Sequence, residues 1–366
     1  MPLSFDEEYR YSRHLVLPGV GMAGQERLQR ARVLIVGAGG LGSPAALYLA
    51  AAGVGTVGIA DADIVDVSNL QRQIIHRTAD AGRPKVESAT EAIRALNPLV
   101  TVRPIPERIT AANALNLLAD YDVVVDGTDN FPARYLLNDA CALLGKPLVF
   151  GSIFRFEGQA AVFDARRGPC YRCLFPDPPP PESVPTCAEG GVLGALPGMI
   201  GTVQANETLK LLLGIGEPLL SRLLLLDALA LQFRTLRIEK NPACPLCGES
   251  PTITGVTDLE EYCSLAGGEW EMAPEELLAR LPAVTLVDVR EEWEREEDPG
   301  FPEAVSLPYP VFARRMHELD SAEELVLFCS AGARSWQAAA LLRRAGFTRA
   351  WSLQGGLARY RMARSR

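Results

Sequence analysis

The chain has 366 residues, 48% of them hydrophobic and 22% charged, so it is long enough to bury the cores of two or more domains. Its formal net charge of -9 argues against nucleic acid as a partner, because binding to a phosphate backbone requires a concentrated basic surface. No basic and apolar leader opens the sequence, and charges and glycines interrupt the apolar stretch 209–226. We therefore expect neither export nor a membrane span, and a cytoplasmic protein.

The first recognisable fold element is a βαβ unit. Residues 33–36 predict a buried parallel strand, a helix follows over about 41–52, and residues 57–60 predict the next strand, which ends at Asp61. A helix over 85–96 and further strands near 100–104 and 122–126 continue the alternation. This pattern predicts an α/β fold with a Rossmann-like, doubly wound sheet.

A glycine-rich turn joins the first strand to the first helix of this unit. Gly37, Gly39 and Gly42 have the dinucleotide-binding spacing, with Gly40 between them, and glycines at such a turn let the backbone approach phosphate closely. Asp61 lies about where a ribose-binding acid belongs. Taken alone, these residues favour an NAD-dependent oxidoreductase.

Charged residues after this turn favour a triphosphate instead. Arg72 and Lys85 are cations that can neutralise charge developing on phosphates, and Asp129 follows a strand and can hold magnesium. Hydride transfer to nicotinamide requires none of them. Arg72 lies in the segment Asn69-Leu70-Gln71-Arg72-Gln73, Asp129 lies in Thr128-Asp129-Asn130, and Lys85 follows Pro84. The acidic segment Asp61-Ala62-Asp63 precedes them.

Together with Tyr11-Ser12-Arg13-His14, these motifs resemble the ubiquitin-activating-type adenylyltransferases, the family of the MoeB and ThiF proteins. The resemblance covers about residues 5–248. It implies a homodimer in which Arg13 reaches the neighbouring subunit's ATP site, with Asp129 on Mg2+. The residues that it assigns to the nucleotide are Gly37, Gly39, Gly40, Gly42, Asp61, Asp63, Asn69, Arg72, Lys85, Asp129 and Asn130.

Two Cys-x-x-Cys pairs, Cys170 with Cys173 and Cys244 with Cys247, offer four thiolates for a tetrahedral Zn2+ ion. The fold must bring the pairs together, and a redox Cys-x-x-Cys is the competing interpretation. Proteins of the resembling family carry such a zinc site.

Cys187 stands in a Pro- and Gly-rich stretch, 177–198, which we expect to be a mobile surface loop. In the resembling family a cysteine in this crossover loop forms a covalent link with the carrier, which implies the same for Cys187. A small, partly buried structural cysteine is the alternative. Cys141, on an apolar helical pattern, is expected in the core, and Cys263 is assigned no role.

A second α/β pattern begins after an irregular segment. Residues 286–289 and 325–328 predict parallel strands, and the second strand runs into the loop from Cys329 to Ser335, followed by a helix over about 335–345. Loop N–H groups and the helix amino end stabilise a thiolate or persulfide on Cys329, and Arg334 adds a fixed cation. This loop, with Asp288-Val289-Arg290 and Gly355-Gly356, resembles rhodaneses, although cysteine phosphatases have related loops. Residues 300–304 depart from the usual rhodanese entry motif.

We therefore predict an adenylyltransferase domain over 1–249, a linker over 250–267 and a rhodanese-like sulfurtransferase domain over 268–366. By the resemblance, the substrates are ATP and the C-terminal Gly-Gly tail of a ubiquitin-like sulfur carrier, and sulfur comes from thiosulfate or a cysteine desulfurase. Cys329, Cys187, Arg72 and Arg334 are the predicted catalytic residues. The alternatives are an NAD-dependent oxidoreductase with a phosphatase-like domain and a non-catalytic zinc scaffold that binds a ubiquitin-like protein. The carrier's pathway stays open.

Overall fold

A computed structural model describes residues 2–178, 191–258, 270–330 and 332–364. These residues form two compact units, the first from the first two ranges and the second from the last two. The predicted linker runs into residues outside the described ranges, so the domain boundaries stay predictions. Cys187 and Cys263 also lie outside the described residues. Within the described part of the chain, no helix is both long and apolar enough to span a membrane.

The first unit is built on an eight-stranded sheet in the order β3-β2-β1-β4-β5-β6-β7-β8. The first five strands are parallel, as the sequence predicted for this Rossmann-like sheet, whereas β6, β7 and β8 extend it by antiparallel pairing. Chain order reverses beside β1, which places a crevice at the carboxyl ends of β1 and β4. The strands are β1 (Arg32–Val36), β2 (Thr56–Ala60), β3 (Thr101–Ile105), β4 (Val123–Asp126), β5 (Leu148–Phe154), β6 (Glu157–Phe163), β7 (Arg222–Asp227) and β8 (Gln232–Arg237).

Helices cover both faces of this sheet, and β1 shows why. Val33 and Ile35 of β1 point into one hydrophobic core, while Leu34 and Val36 point into the other. Successive strand residues face opposite sides, so a strand buried on both faces is apolar throughout. The helices are α1 (Phe5–Arg10), α2 (Ser12–Leu15), α3 (Gly21–Arg30), α4 (Gly42–Ala51), α5 (Lys85–Leu96), α6 (Ala114–Ala119), α7 (Phe131–Leu144), α8 (Tyr171–Leu174) and α9 (Ala195–Leu213).

The predicted loop over 177–198 is wrong at its carboxyl end. The helix α9 already begins at Ala195, with Pro197 in its first turn. Proline is tolerated there because the first N–H groups of a helix have no partner within the helix. Residues 179–190, which include Cys187, lie outside the described ranges.

The second unit contains a five-stranded, fully parallel sheet in the order β11-β10-β12-β13-β9. The two predicted parallel strands are confirmed as β10 and β12, and they are neighbours in this sheet. Two hydrophobic clusters lie in this unit and share the strand β12, which contributes Leu325 and Leu327 to one and Val326 and Phe328 to the other. The strands are β9 (Glu271–Met272), β10 (Thr285–Asp288), β11 (Val305–Ser306), β12 (Leu325–Phe328) and β13 (Ala350–Leu353). The helices are α10 (Pro274–Arg280), α11 (Glu292–Glu297), α12 (Tyr309–Arg315), α13 (Ala333–Arg344) and α14 (Gly356–Arg364).

Candidate functional site

The glycine-rich turn lies between β1 and α4, at the carboxyl edge of the parallel strands. Gly37 has φ +94°, and a Cβ atom there would lie 2.6 Å from the carbonyl oxygen of Gly127, in the turn after β4. A Cβ atom on Gly42 would lie 1.8 Å from the Gly37 carbonyl oxygen. These two glycines are therefore required by close backbone packing. They let the turns after β1 and β4 meet.

Asp61 connects this turn to the end of β2. One of its carboxylate oxygens accepts the Ala38 N–H at 2.7 Å, and the other accepts the Asp63 N–H at 2.8 Å. Among the described residues, no ion pair joins Asp61 to Arg72. Each oxygen keeps a further lone pair, so the carboxylate can still accept hydroxyl groups from a ligand.

Lys85 and Asp63 form an ion pair next to this edge. The Lys85 Nζ lies 3.0 Å from Asp63 Oδ2, and the side chain of Lys85 is 7% exposed while that of Asp63 is 67% exposed. Since a buried ammonium needs negative charge around it, this asymmetry suits a cation that faces an anionic ligand from inside the fold.

Asn69 ends the short 3-10 helix Val67–Asn69, and Arg72 follows three residues later. Arg72 Nη1 donates to the Ser68 carbonyl at 3.2 Å, and the Arg72 side chain lies close to Gly40, whose Cβ position would be 3.6 Å from Arg72 Cγ. Gly39 is bordered similarly by the Gln73 amide. The structure thus brings the predicted cation Arg72 against the glycine-rich turn. Within the described residues, Arg72 makes no ion pair that would neutralise it.

The turn after β4 is closed by Asp126, which is fully buried. Its Oδ1 accepts the Thr128 N–H at 2.9 Å and the Thr128 hydroxyl at 2.6 Å, while Oδ2 lies 3.6 Å from Arg134 Nε. Burial raises the pKa of Asp126, although Arg134 opposes the effect. The turn presents Asp129 with an exposed side chain, available to a cation.

Two other predicted nucleotide ligands, Asn130 and Arg13, are exposed. Asn130 caps α7, since its side-chain oxygen accepts a backbone N–H of the first turn at 2.9 Å, which leaves its amide N–H groups for other partners. Arg13 lies exposed on α2, and no ion pair to it is found among the described residues. An exposed, unpaired arginine is compatible with a partner outside its own chain.

The four paired cysteines meet in one cluster. Their sulfur atoms lie within 4.8 Å of one another, with separations of 3.6 Å from Cys170 to Cys244, 3.4 Å from Cys170 to Cys247 and 3.4 Å from Cys173 to Cys247. A tetrahedral zinc ion with Zn–S bonds of about 2.3 Å needs sulfurs about 3.8 Å apart. Contacts with the neighbouring thiols raise the pKa of Cys170 and lower that of Cys173. The donor set and spacing fit a tetrahedral thiolate site.

The helix α7 holds this cluster in place. Arg172, between Cys170 and Cys173, is buried and donates two hydrogen bonds of 2.8 Å to Asp139, and Asn138 accepts the Tyr171 N–H at 2.7 Å. The same helix begins at the turn that carries Asp129. One rigid element therefore runs from the edge of the glycine-rich turn to the cysteine cluster.

In the second unit, Cys329 follows β12 and is 1% exposed. Its sulfur accepts the Gly332 N–H at 3.1 Å and lies 3.7 Å from the Ser335 hydroxyl. Gly332 has φ +98° and directly precedes α13. The predicted arrangement, in which a backbone N–H and a helix amino end face the sulfur, is present in the described part of the loop. Such donors stabilise a thiolate or persulfide.

Arg334 is oriented by Glu294 on α11. Its guanidinium binds the carboxylate through two hydrogen bonds, of 2.5 and 2.7 Å, and the Ser330 hydroxyl donates to the same carboxylate at 3.0 Å. Burial raises the pKa of Glu294, but the hydrogen bonds from Arg334, the Glu291 N–H and Ser330, together with the charge of Arg334, outweigh this and leave it lowered. The predicted fixed cation is thus largely neutralised by a glutamate, which clamps both ends of the loop.

Sequence reasoning missed Glu294 because it stands in a run of glutamates, 291–297, in which no spacing singles it out. Ser335 was within the quoted loop but received no role. His76, one of three histidines in the chain, was also passed over, although its rarity was a signal. Cys141 is buried, as predicted, and burial raises its pKa, which makes it unreactive.

Comparisons with known proteins agree with both units. The ThiF family model matches residues 11–246, and the rhodanese-like domain model matches residues 273–363. The chain is 48% identical over 373 residues to a probable adenylyltransferase/sulfurtransferase MoeZ of Mycobacterium tuberculosis, covering 97% of this chain and 93% of that protein. It is 56% identical over 265 residues to a sulfur carrier protein adenylyltransferase of Thermus thermophilus, covering 71% of this chain and 98% of that protein.

A plant relative and a solved structure extend the comparison. The adenylyltransferase and sulfurtransferase MOCS3 of Arabidopsis thaliana is 40% identical over 388 residues, covering 97% of this chain and 83% of that protein. The fold is similar to that of Escherichia coli MccB bound to AMPCPP and MccA, with a TM-score of 0.60 and 19% identity, covering 68% of this chain and 75% of that chain.

Proposed function

Because the chain belongs to the ThiF family and continues into a rhodanese-like domain, we propose that it adenylates the C-terminal glycine of a ubiquitin-like sulfur carrier and then converts that carboxylate into a thiocarboxylate. The protein is an enzyme, an adenylyltransferase and sulfurtransferase like its relatives. The observation that carries the proposal is the meeting of Arg72, Asp61 and the glycine-rich turn at one sheet edge, in a chain that also holds the Cys329 loop.

In the first step ATP lies over the glycine-rich turn, where Gly37, Gly39, Gly40 and Gly42 admit the phosphates closely. Asp61 accepts the ribose hydroxyl groups. The carrier carboxylate attacks the α-phosphorus, the bond to the bridging oxygen breaks, and pyrophosphate leaves with that electron pair. Arg72 and Lys85 neutralise the charge that develops on the phosphates.

We propose that Asp129 holds Mg2+, with Asp63 and Asn69 as further oxygen donors around the nucleotide and Asn130 as a donor through its amide N–H groups. Carboxylate and amide oxygens are the ligands that this ion prefers. When bound, the ion supplies positive charge to the phosphate oxygens. The residues present fit it, since the side chain of Asp129 is exposed beside the turn.

We further propose a homodimer in which Arg13 of one copy completes the ATP site of the other. Support comes from α1 and α2 and the loop that follows them, the same segment as Arg13, which carries the exposed apolar side chains Phe5, Tyr9 and Val16. An apolar surface around an unpaired arginine is typical of an interface.

In the second step a persulfide on Cys329 attacks the acyl carbon of the adenylate, and AMP leaves. This gives an acyl disulfide, Cys329–S–S–CO–carrier. A thiol then attacks the Cys329 sulfur, forms a disulfide with it and releases the carrier thiocarboxylate. The attacking thiol is oxidised in this step and supplies the two electrons that reduce the acyl disulfide bond. We assign this thiol to Cys187, and a cellular thiol reductant resets the pair. Arg334, held by Glu294, orients the loop around Cys329.

We propose that the four-cysteine cluster holds a structural Zn2+. All four positions would be filled by Cys170, Cys173, Cys244 and Cys247, so the ion would have no open position for chemistry. The reduced cysteines suit a reducing compartment, and we place the reaction in the cytoplasm. The sulfur donor is thiosulfate or a cysteine desulfurase.

The test is intact mass spectrometry of a Gly-Gly-ending carrier after incubation with the protein, Mg-ATP and thiosulfate. We expect one carboxylate oxygen to be replaced by sulfur in the wild type. Neither Cys329→Ala nor Cys187→Ala should yield the thiocarboxylate, while Cys263→Ala, which has no assigned role, should behave like the wild type. All variants should still release pyrophosphate. Carriers that are neither adenylated nor thiolated would refute the proposal.

A further inference from the structure

His76 lies buried beneath the glycine-rich turn, four residues after Arg72, and is 6% exposed. Its Nε2 is 3.0 Å from the carbonyl oxygen of Ala38, and its Nδ1 is 2.9 Å from the hydroxyl oxygen of Ser88. It contacts the nucleotide-binding turn from the protein side.

The acceptor identifies which ring nitrogen carries the proton. A carbonyl oxygen only accepts, so Nε2 must be protonated and donate to Ala38. The Ser88 hydroxyl has one proton, which it donates to Asp80 Oδ2 at 2.9 Å, so Nδ1 is not the acceptor of that proton. Burial lowers the pKa of His76, and so does Lys85, while Asp61 and Asp80 oppose the effect. The contact with the Ala38 carbonyl therefore places a proton on Nε2, whether or not Nδ1 also carries one.

Ser88 continues the network to the rest of the site. It lies on α5, one turn after Lys85, and its hydroxyl oxygen is 2.9 Å from Asp80 Oδ2. Because the serine stands between the histidine and the aspartate and is 2% exposed, the three residues do not form a hydrolytic triad. The network instead links the glycine-rich turn to the helix that carries Lys85.

The Ala38 carbonyl belongs to the peptide group that also contains the Gly39 N–H. In a trans peptide these two groups point in opposite directions. A donor on the protein side of the carbonyl therefore turns the Gly39 N–H outward, towards the nucleotide. Gly39 and Gly40 follow one another, and glycines impose little constraint of their own on this peptide.

We propose that His76 is a positioning residue that fixes the Ala38–Gly39 peptide, so that the Gly39 N–H faces the ATP phosphates and the turn is kept in register with Lys85. This inference rests on the proposed adenylation site. His76 itself does not touch the substrate.

The experiment compares His76→Gln with His76→Asn. The amide nitrogen of glutamine reaches the place of Nε2 and still donates to Ala38, whereas that of asparagine reaches only the place of Nδ1. Loss of one such hydrogen bond changes binding by about tenfold. We expect the Kd for Mg-ATP, measured by calorimetry, to rise about tenfold in His76→Asn and to stay within about threefold in His76→Gln. His317→Asn, at an exposed histidine of the second unit, is the matched control.

A second readout uses the wild type alone. A long-range 15N–1H spectrum should show His76 protonated on Nε2 at neutral pH, without ATP. Equal Kd values in His76→Asn and wild type, equal weakening in both variants, or an Nε2 without a proton would overturn the inference. If wild-type protein binds no ATP, the proposed function fails, and the tautomer still decides whether His76 holds the carbonyl.

Discussion

Glu294 is the side chain on which the shape of the Cys329 loop depends most. It accepts two hydrogen bonds from Arg334 and one from Ser330, so its removal leaves a mostly buried guanidinium without its carboxylate. Hydrogen bonds to charged groups contribute about 1.5–3 kcal/mol. A neutral glutamine keeps the shape but loses the charge.

We therefore expect Glu294→Gln to slow persulfide formation on Cys329 by about tenfold, as followed by mass spectrometry with thiosulfate. Pyrophosphate release should not change. Glu318→Gln is the matched control, because Glu318 pairs with Arg315 where both side chains are 46% exposed, and such surface pairs contribute little. Equal rates in Glu294→Gln and the control would show that the clamp is unimportant.

His76 also predicts how stability depends on pH. Burial lowers its pKa in the folded protein from the ordinary value of 6.5, so below that value the unfolded chain binds a proton that the folded one does not. This contribution destabilises the protein as pH falls. His76→Gln removes it, so the free energy of unfolding should fall less steeply below about pH 6.5 in the variant than in the wild type. Urea titrations of both proteins at pH 7.5 and 5.5 measure this. An equal decrease in the free energy of unfolding in the variant and the wild type would contradict the prediction.

The glycine-rich turn is the element with the least tolerance for change. A methyl group on Gly42 would collide with the Gly37 carbonyl, whereas a methyl group on Gly198, in α9, would meet nothing within 4 Å. We expect Gly42→Ala to abolish detectable ATP binding and lower the melting temperature. Gly198→Ala should stabilise α9 by about 0.5–1 kcal/mol, because alanine favours a helix. Calorimetry of both variants measures the melting temperature and the Kd for ATP. ATP binding by Gly42→Ala would show that the turn can shift to accommodate the methyl group.

Strands that are buried on both faces could be predicted from the sequence, whereas exposed strands could not. The apolar run 33–36 identified β1 because a central parallel strand has no solvent face. The strand β8 is exposed at all six positions, so its residues carry no such signal. The helix predicted over about 85–96 agrees with α5.

The candidate site shows the same division. Local motifs identified the glycines, Asp61 and Lys85, but the pairing of Lys85 with Asp63 joins residues 22 positions apart, and that of Arg334 with Glu294 joins residues 40 apart. Such contacts depend on the tertiary fold. The four cysteines are the exception, because the zinc requirement itself predicted that two distant pairs meet.

At the scale of the whole molecule, we expect that the proposed zinc ion stabilises the first unit and has no effect on the reaction of Cys329 in the second unit. We expect Cys244→Ser to lose most of the bound zinc, measured by elemental analysis, and to lower the melting temperature of the adenylation unit. Persulfide formation on Cys329 should persist. Cys141→Ala, at a buried cysteine outside the cluster, should keep the zinc. Full zinc content in Cys244→Ser would exclude this cysteine as a ligand.

The eight-stranded sheet ends at β8, and an outer strand is a template on which another chain can polymerise. The exposed apolar side chains of Phe233 and Leu236 favour association of this strand with another chain. Arg234 and Arg237 oppose it, because the same positive charges on a second copy would repel them. Colloidal stability of the protein at high concentration should therefore depend on these two arginines, to which no role in the reaction is assigned. We expect Arg234→Thr with Arg237→Thr to raise light scattering with protein concentration while turnover per folded molecule is kept. Natural selection on the sequence of this strand would then act through the amount of protein that stays unaggregated in the cell.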